Sequence, residues 1–390
     1  MNNTKLLKSF LIKSIGIFFI GMSFGFLGCS DQPDSREFIY VGTFADSEDG
    51  GLFVYEFDRD EVQFTLSQTI SDMESPGFQA IHPDGNFLYS ISSDSYSDDS
   101  DYQTVSAFSI NPENGNLSFV NNQSVGGRGP AHISVDPMGR FVYVSNYSSG
   151  NLSVFRIDEN GSLEGPVDSV QHEGSSVHSR QQGPHVHAAD PSSDGRFLYV
   201  SDLGIDKIKI YAVNQDTGEL TPAEIPYFEN SPGAGPRHFT FHPGGEFAYS
   251  VEELSSTVAV LSVDQNNGAL EQIQRLEMLP DYFEDNNTAA DIHVSPDGRF
   301  LYATNRGHDS LVIYSIDEAT GMLELVGHES TRGGHPRNFL MDQNGEFVFV
   351  ANRDDDNVVI FRRNESTGEL TYTGNEINAP LPVCVSQLIL

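Results

Sequence analysis

The chain is short of positive charge: its 390 residues carry 21 Lys and Arg against 56 Asp and Glu, a formal net charge of −35. Such a surface repels nucleic acid, and no basic arm or aromatic-basic stripe offsets it, so nucleic acid is excluded as a partner. Cysteine is scarcer still, with only Cys29 and Cys384. If Cys29 is modified, the mature domain can hold no internal disulfide, and a domain of this size needs none. Cys384 lies in an apolar terminal run and reads as a buried, inert thiol. Helical spacing is essentially absent beyond the N-terminal residues, which points away from helical architectures.

One N-terminal stretch stands apart. Lys5, Lys8 and Lys13 precede and interrupt an apolar run, residues 15–27, that ends Phe26-Leu27-Gly28-Cys29-Ser30. A basic start, a short apolar run and a small residue before a cleavage point make a secretory signal. The run is too short for a comfortable spanning helix. Cys29 after Gly28 looks like a bacterial lipobox, although Phe26 stands where Leu is commoner. The other reading is an ordinary signal peptide cut nearby. The sequence therefore predicts a signal peptide over 1–28, a lipidated tether over 29–36 and one domain over 37–390. It predicts an exported lipoprotein, in the periplasm or at the outer membrane, that meets the membrane through its lipid alone. Ser30 is compatible with outer-membrane sorting.

What is abundant is a repeat. His82-Pro83-Asp84-Gly85-Asn86-Phe87-Leu88-Tyr89 is echoed by Asp136-Pro137-Met138-Gly139-Arg140-Phe141-Val142-Tyr143 and by Pro296-Asp297-Gly298-Arg299-Phe300-Leu301-Tyr302. The anchor glycines fall at 85, 139, 195, 245, 298 and 345, spaced 47 to 56 residues apart. Each marks a hairpin turn followed by alternating aromatic and aliphatic residues. Two further strands follow each copy, and four strands at this period are the signature of a propeller blade. Residues 38–44, 51–57 and 64–70 supply three strands with no inner strand before them, and 382–390 supplies a spare one. The prediction is an all-β, seven-bladed β-propeller whose C-terminal strand closes the first blade, which removes the weakest seam of the ring.

Alignment on the anchor glycine picks out the residues near the axis. Eight positions before it stand Gly77, Ala131, His187, Arg237, Ala290 and Arg337; eight after it stand Ser93, Tyr147, Leu203, Glu253, Arg306 and Arg353. In a hairpin both columns lie at the end opposite the turn. His187, Arg237, Arg337, Glu253, Arg306 and Arg353 are thus expected to ring one mouth of the channel, and four arginines there are a pointed use of a scarce residue. Arg353 can equally pair with the neighbouring Asp354, Asp355 and Asp356. His132 and His238, one step out of the main column, are expected to point into their blades and pack there. His82 and His242, near the turns, are expected to be structural hydrogen-bonders at the opposite face. His185 and His187, two apart on a strand, share a face. That pair also suits a metal, but such a site wants a third His or a carboxylate; no metal and no cofactor are expected.

Gly183-Pro184-His185-Val186-His187, Gly235-Pro236-Arg237-His238, Asn305-Arg306-Gly307-His308-Asp309-Ser310 and Pro336-Arg337-Asn338-Phe339 occur in order, nearly one per successive blade. Together with Tyr143-Val144-Ser145-Asn146-Tyr147 and Ala351-Asn352-Arg353-Asp354 they resemble the seven-bladed propeller lactonases. That family includes the propeller-type 6-phosphogluconolactonases of carbohydrate metabolism and the fungal carboxymuconate lactonizing enzyme. The resemblance covers nearly everything after the tether. It implies a lactonase, a carboxylic-ester hydrolase acting on a small sugar-acid lactone, with His187, Arg237, Glu253 and Arg306 as its catalytic set. A phosphogluconolactonase of sugar catabolism belongs in the cytoplasm, whereas this chain carries an export signal, which argues against the phosphorylated substrate and not against the lactonase chemistry.

Opening a lactone needs an activated water and positive charge at the developing oxyanion. Glu253 or His187 is expected as general base with the other as its acid partner. Arg237 is expected at the oxyanion, and Arg306 and Arg337 on a carboxylate or phosphate, with His185 and Arg353 also touching substrate. No Ser-His nucleophile is evident, so no covalent intermediate is expected, and the protein should act as a monomer. The rival reading is a non-catalytic exported propeller that binds an anionic ligand or a partner protein through the same charged ring.

Overall fold

The structure, a computed structural model, describes residues 36–45, 48–93 and 103–390. The leader, Cys29 and the tether up to Ser35 lie outside the described residues. Seven four-stranded antiparallel sheets follow one another around a ring. Blades 2 to 7 open on the inner strands Pro76–Ile81, Pro130–Val135, Val186–Pro191, Pro236–Phe241, Thr288–Val294 and Pro336–Met341. Blade 1 takes its inner strand from the far end of the chain. Pro382–Ile389 pairs antiparallel with Glu37–Thr43, so that Val41 faces Val385 and Phe38 faces Leu388. The expected closure is the one that forms.

A blade is a thin sheet and cannot bury its own faces, so the core is divided among the seams. Seven separate apolar clusters occupy them, one between each pair of neighbouring blades. The cluster at the closing seam joins Ile39, Val41 and Val385 of blade 1 to Phe347, Phe349 and Val358 of blade 7.

The Phe-x-Tyr of the repeat is explained at these seams. Phe197 of blade 4 lies against Gly268 in the outer turn of blade 5, and a Cβ on that glycine would stand 2.8 Å from the ring. Two residues on, the Tyr199 hydroxyl donates to the Gly268 carbonyl at 2.9 Å. Tyr40, Tyr89, Tyr249 and Tyr302 make the equivalent bonds to Gly115, Gly161, Gly321 and Gly368 of the following blades. Each outer glycine therefore serves two needs, a positive φ in its own turn and room for the neighbour's phenyl ring. Tyr143 breaks the series, because its buried hydroxyl has no partner.

At the opposite face from the strand starts, His82 and His242 bond through Nε2 to the carbonyls of Gly139 and Gly298, the anchor glycines of the next blades. Both are structural, as expected.

These contacts make a paired stability prediction. Tyr199→Phe leaves the buried Gly268 carbonyl unpaired and costs about 1 kcal/mol of unfolding free energy. Tyr143→Phe removes a hydroxyl that already lacks a partner and costs nothing. Denaturant melts of the two variants check this, and equal losses would show that the hydroxyl bonds do not hold the seams.

Candidate active site at the channel mouth

Every inner strand carries a β-bulge at the same place. Pairing with the second strand skips Gly77, Ala131, His187, Arg237 and Arg337, skips both Ala290 and Asp291 in blade 6, and skips Val383 in the closing strand. These are the column residues themselves. A bulge frees a residue from the ladder and re-aims its side chain, here toward the axis. It also turns the next residue inward, which corrects the expectation for His132 and His238. They meet Phe78 at ring separations of 4.7 and 6.0 Å, and blades 2 and 5 touch only across the channel. His238 also lies 5.2 Å from His187. Below the mouth the channel is thus filled by rings, and His238 Nδ1 is fixed at 2.6 Å from Asp291.

Above this plug lies a cavity of about 730 Å³, walled by Tyr147, Arg180, His187, Glu253, Arg306 and Arg337, among others. Glu253 is its centre. The residue is only 3% exposed, and burying an unpaired carboxylate would cost several kcal/mol. Three guanidinium groups compensate. Arg237 Nε and Arg306 Nη2 lie 3.1 and 3.0 Å from one carboxylate oxygen, Oε2. Arg180 Nη1 lies 2.5 Å from the other, Oε1. Burial alone would raise the Glu253 carboxyl, but Arg306, Arg237 and Arg180 outweigh it and hold it well below the usual carboxylate range.

The three arginines are held differently. Arg306 donates to the Ala289 carbonyl at 2.6 Å, and Arg237 to the Ala290 carbonyl at 2.6 Å. Arg180 comes from residues 172–185, the longest of the described connections that lead into an inner strand. Its neighbour Gln181 is fully buried, donating to the Leu203 carbonyl at 2.7 Å and to Asp206 at 2.6 Å. Asp206 also accepts from the backbone of Gly233 and Gly235, so one carboxylate pins two loops beside the mouth. The Arg180 backbone is therefore fixed, while its side chain remains 42% exposed and is tied down by Glu253 and by the Tyr147 hydroxyl at 2.9 Å.

Burial and the charges of Arg237, Arg337 and Arg306 push the His187 imidazole well below its ordinary value, so it is neutral at pH 7. Its Nδ1 is buried with no partner. An orphaned lone pair is less costly than an orphaned N–H, which puts the proton on Nε2 and makes that nitrogen a donor. His335, another wall residue, is pushed down to about 3 by burial beside Arg306 and Arg353.

Of the residues expected at the mouth, His187, Glu253, Arg306, Arg337 and Arg353 are gathered in one wall. Arg353 pairs with Asp354 at 2.7 Å, and the Arg337 guanidinium lies 4.8 Å from the centre of the Phe44 ring. Arg237 is not part of that surface: it is 2% exposed, behind Glu253, with Nη1 spent on Ala290 and His238. His185 stacks behind Tyr147, with ring centres 4.4 Å apart, outside the wall. Among the described residues no group of three or more His, Cys, Asp or Glu is arranged to hold a metal. Cys384 is buried, as expected. Arg180, His335 and Phe44 are wall residues that lie outside both columns, and Tyr147 stands in the second column without being among the residues expected to ring the mouth.

The fold is a closed seven-bladed propeller with a concave, charged pocket at one mouth, the place where propellers of this build take small molecules or partner segments. Comparison with known proteins narrows the choice. Residues 38–387 match the family described as lactonase, 7-bladed beta-propeller. A 6-phosphogluconolactonase of Bacillus subtilis is 37% identical over 90% of this chain and 97% of its own length. One from Formosa agariphila is 38% identical over 78% of this chain and 86% of its own. The structure of the Pseudomonas aeruginosa periplasmic gluconolactonase superposes with a TM-score of 0.84 at 31% identity, covering 91% of this chain and 99% of that one. The chain belongs to the seven-bladed propeller lactonase family and is a carboxylic-ester hydrolase acting on small lactones.

Proposed function

We propose that the chain hydrolyses an acidic sugar lactone of the 6-phosphogluconolactone type, with the chemistry centred on Glu253. One observation carries the choice of an acidic substrate. Among the described residues, Arg180, Arg306, Arg337 and Arg353 border one cavity with Arg237 directly behind it, against two carboxylates, Glu253 and Asp354, in a chain of net charge −35. Such an excess of fixed positive charge suits a ligand that brings a phosphate or carboxylate of its own. The names of the Bacillus and Formosa relatives support the phosphorylated form, whereas the export proposed below and the likeness to a periplasmic gluconolactonase of Pseudomonas aeruginosa favour an unphosphorylated one.

In this reading a water beside Glu253 attacks the ring carbonyl and gives its proton to the carboxylate. The developing oxyanion is met by Arg306 and by the Nε2 proton of His187. When the ring C–O bond breaks, the protonated Glu253 returns the proton to the leaving alkoxide, so the proton inventory closes on one residue. Arg237 holds Glu253 from behind and is a positioning residue. Arg337 and Arg353 take the anionic arm of the substrate.

Glu253→Gln keeps the shape and removes the base, so kcat should fall by about 10²- to 10⁴-fold, measured as acid release above the spontaneous rate. The pH dependence follows from two groups. His187 works in its neutral form and is shifted downward, so that form persists as the pH falls through 6.5; the Glu253 carboxylate, also shifted downward, stays charged. With neutral gluconolactone, kcat/KM should therefore show no acid limb near pH 6.5. A limb at that pH, or a Glu253→Gln enzyme with normal turnover, would remove these assignments.

We also propose export with a lipid on Cys29, supported by the basic-apolar leader and the Gly28-Cys29 pair. Expressed in a bacterium that processes lipoproteins, the intact chain should partition into detergent and Cys29→Ser should not. Identical partitioning of the two would refute lipidation.

A further inference from the structure

The two oxygens of Glu253 are unequal. Oε2 is held by Arg237 and Arg306, both of them buried and both bonded to backbone carbonyls of blade 6. Oε1 is covered by Arg180, whose guanidinium is half exposed and has one other anchor, the Tyr147 hydroxyl. The base oxygen is thus masked at rest by the one guanidinium of the three that reaches solvent, hydrogen-bonded to it at 2.5 Å. Two arginines stay behind when the third leaves, so unmasking does not strand a bare charge. The Arg180 backbone does not have to move either, because buried Gln181 is locked to Asp206 and Leu203. Rotation of one long side chain suffices. Arg337 and Arg353 in the same wall provide the adjoining positive field in which a substrate anion settles.

We propose that Arg180 is a specificity-determining residue that exchanges partners, leaving Glu253 for the anionic group of the substrate, so that Oε1 becomes free to act when an acidic lactone is bound. This rests on Glu253 being the base. It goes further in making the substrate's charge part of the catalytic switch and not merely a handle for binding. A neutral lactone leaves Arg180 on Glu253 and is turned over slowly even when it fills the cavity. Selection then appears in kcat as well as in KM, the pattern expected when binding energy from a remote group is used at the reacting centre.

The test compares 6-phosphogluconolactone with gluconolactone in the wild type, Arg180→Ala and Arg180→Lys, with spontaneous and buffer-catalysed hydrolysis subtracted. The wild type should show the higher kcat on the phosphorylated lactone. Arg180→Ala should raise kcat on gluconolactone and raise KM for the phosphorylated lactone. The ratio of the two kcat/KM values should fall by about tenfold or more, the equivalent of one lost charge contact of about 1.4 kcal/mol. Arg180→Lys, which keeps the charge, should restore part of the preference. Added inorganic phosphate should speed gluconolactone turnover by the wild type and have no such effect on Arg180→Ala. Equal losses on both lactones in Arg180→Ala, with an unchanged melting temperature, would overturn the exchange and leave Arg180 a plain electrostatic contributor. A wild type inactive on both lactones would overturn the underlying lactonase reading together with the exchange, and that result is read from the wild-type arm alone.

Discussion

A propeller blade has two apolar faces and no core of its own, so each blade is stable only between two neighbours. The ring must therefore close, and here closure rests on a single strand pairing. Pro382–Ile389 lies beside Glu37–Thr43, which gives blade 1 its fourth strand and lets its residues complete the seam with blade 7. The other six seams are built alike, from a phenyl ring seated on the next blade's turn glycine and, in most, a tyrosine hydroxyl on its carbonyl. Once the ring is closed, the starts of seven inner strands converge on one axis whatever their side chains.

The site is a consequence of that convergence. Bulges at the same place in each inner strand turn pairs of side chains inward. In three of the blades the second member of the pair is Phe78, His132 or His238, whose rings pack into a plug, while His187 and Arg337, skipped residues of two other blades, line the mouth above it. Over the plug Glu253 is buried deeply enough for its carboxylate to need partners. It receives three guanidinium groups where one would balance its charge. These charges keep Glu253 ionised and, together with burial, keep His187 neutral.

Much of this was legible in the sequence because repetition reports geometry. The anchor glycines gave the blade count and the closing strand, and columns at fixed offsets found His187, Glu253, Arg306, Arg337 and Arg353. Other features were legible but passed over: two positions before the first column stand His185, Thr288 and His335, so a longer alignment would have found His335. The bulge was not legible, since strict alternation sends His238 into its blade while the skipped residue 237 turns it to the axis. Depth was not legible either. Arg237 and Arg306 share the column logic, yet one is sealed behind Glu253 and the other borders the cavity. Arg180 belongs to an insertion between repeats, where no column exists, and only the folded loop pinned by Asp206 brings it to the site.

The central claim is that one charged cavity around Glu253 receives an acidic lactone. The most direct measurement is a crystal structure of the protein with 6-phosphogluconate, the acid released from the phosphorylated lactone. The account predicts its carboxylate beside Arg306 and Glu253, its phosphate among Arg337, Arg353 and Arg180, and the Arg180 guanidinium withdrawn from Oε1. A product bound elsewhere, or one in this cavity with its phosphate turned to solvent and Arg180 still on Glu253, would contradict it.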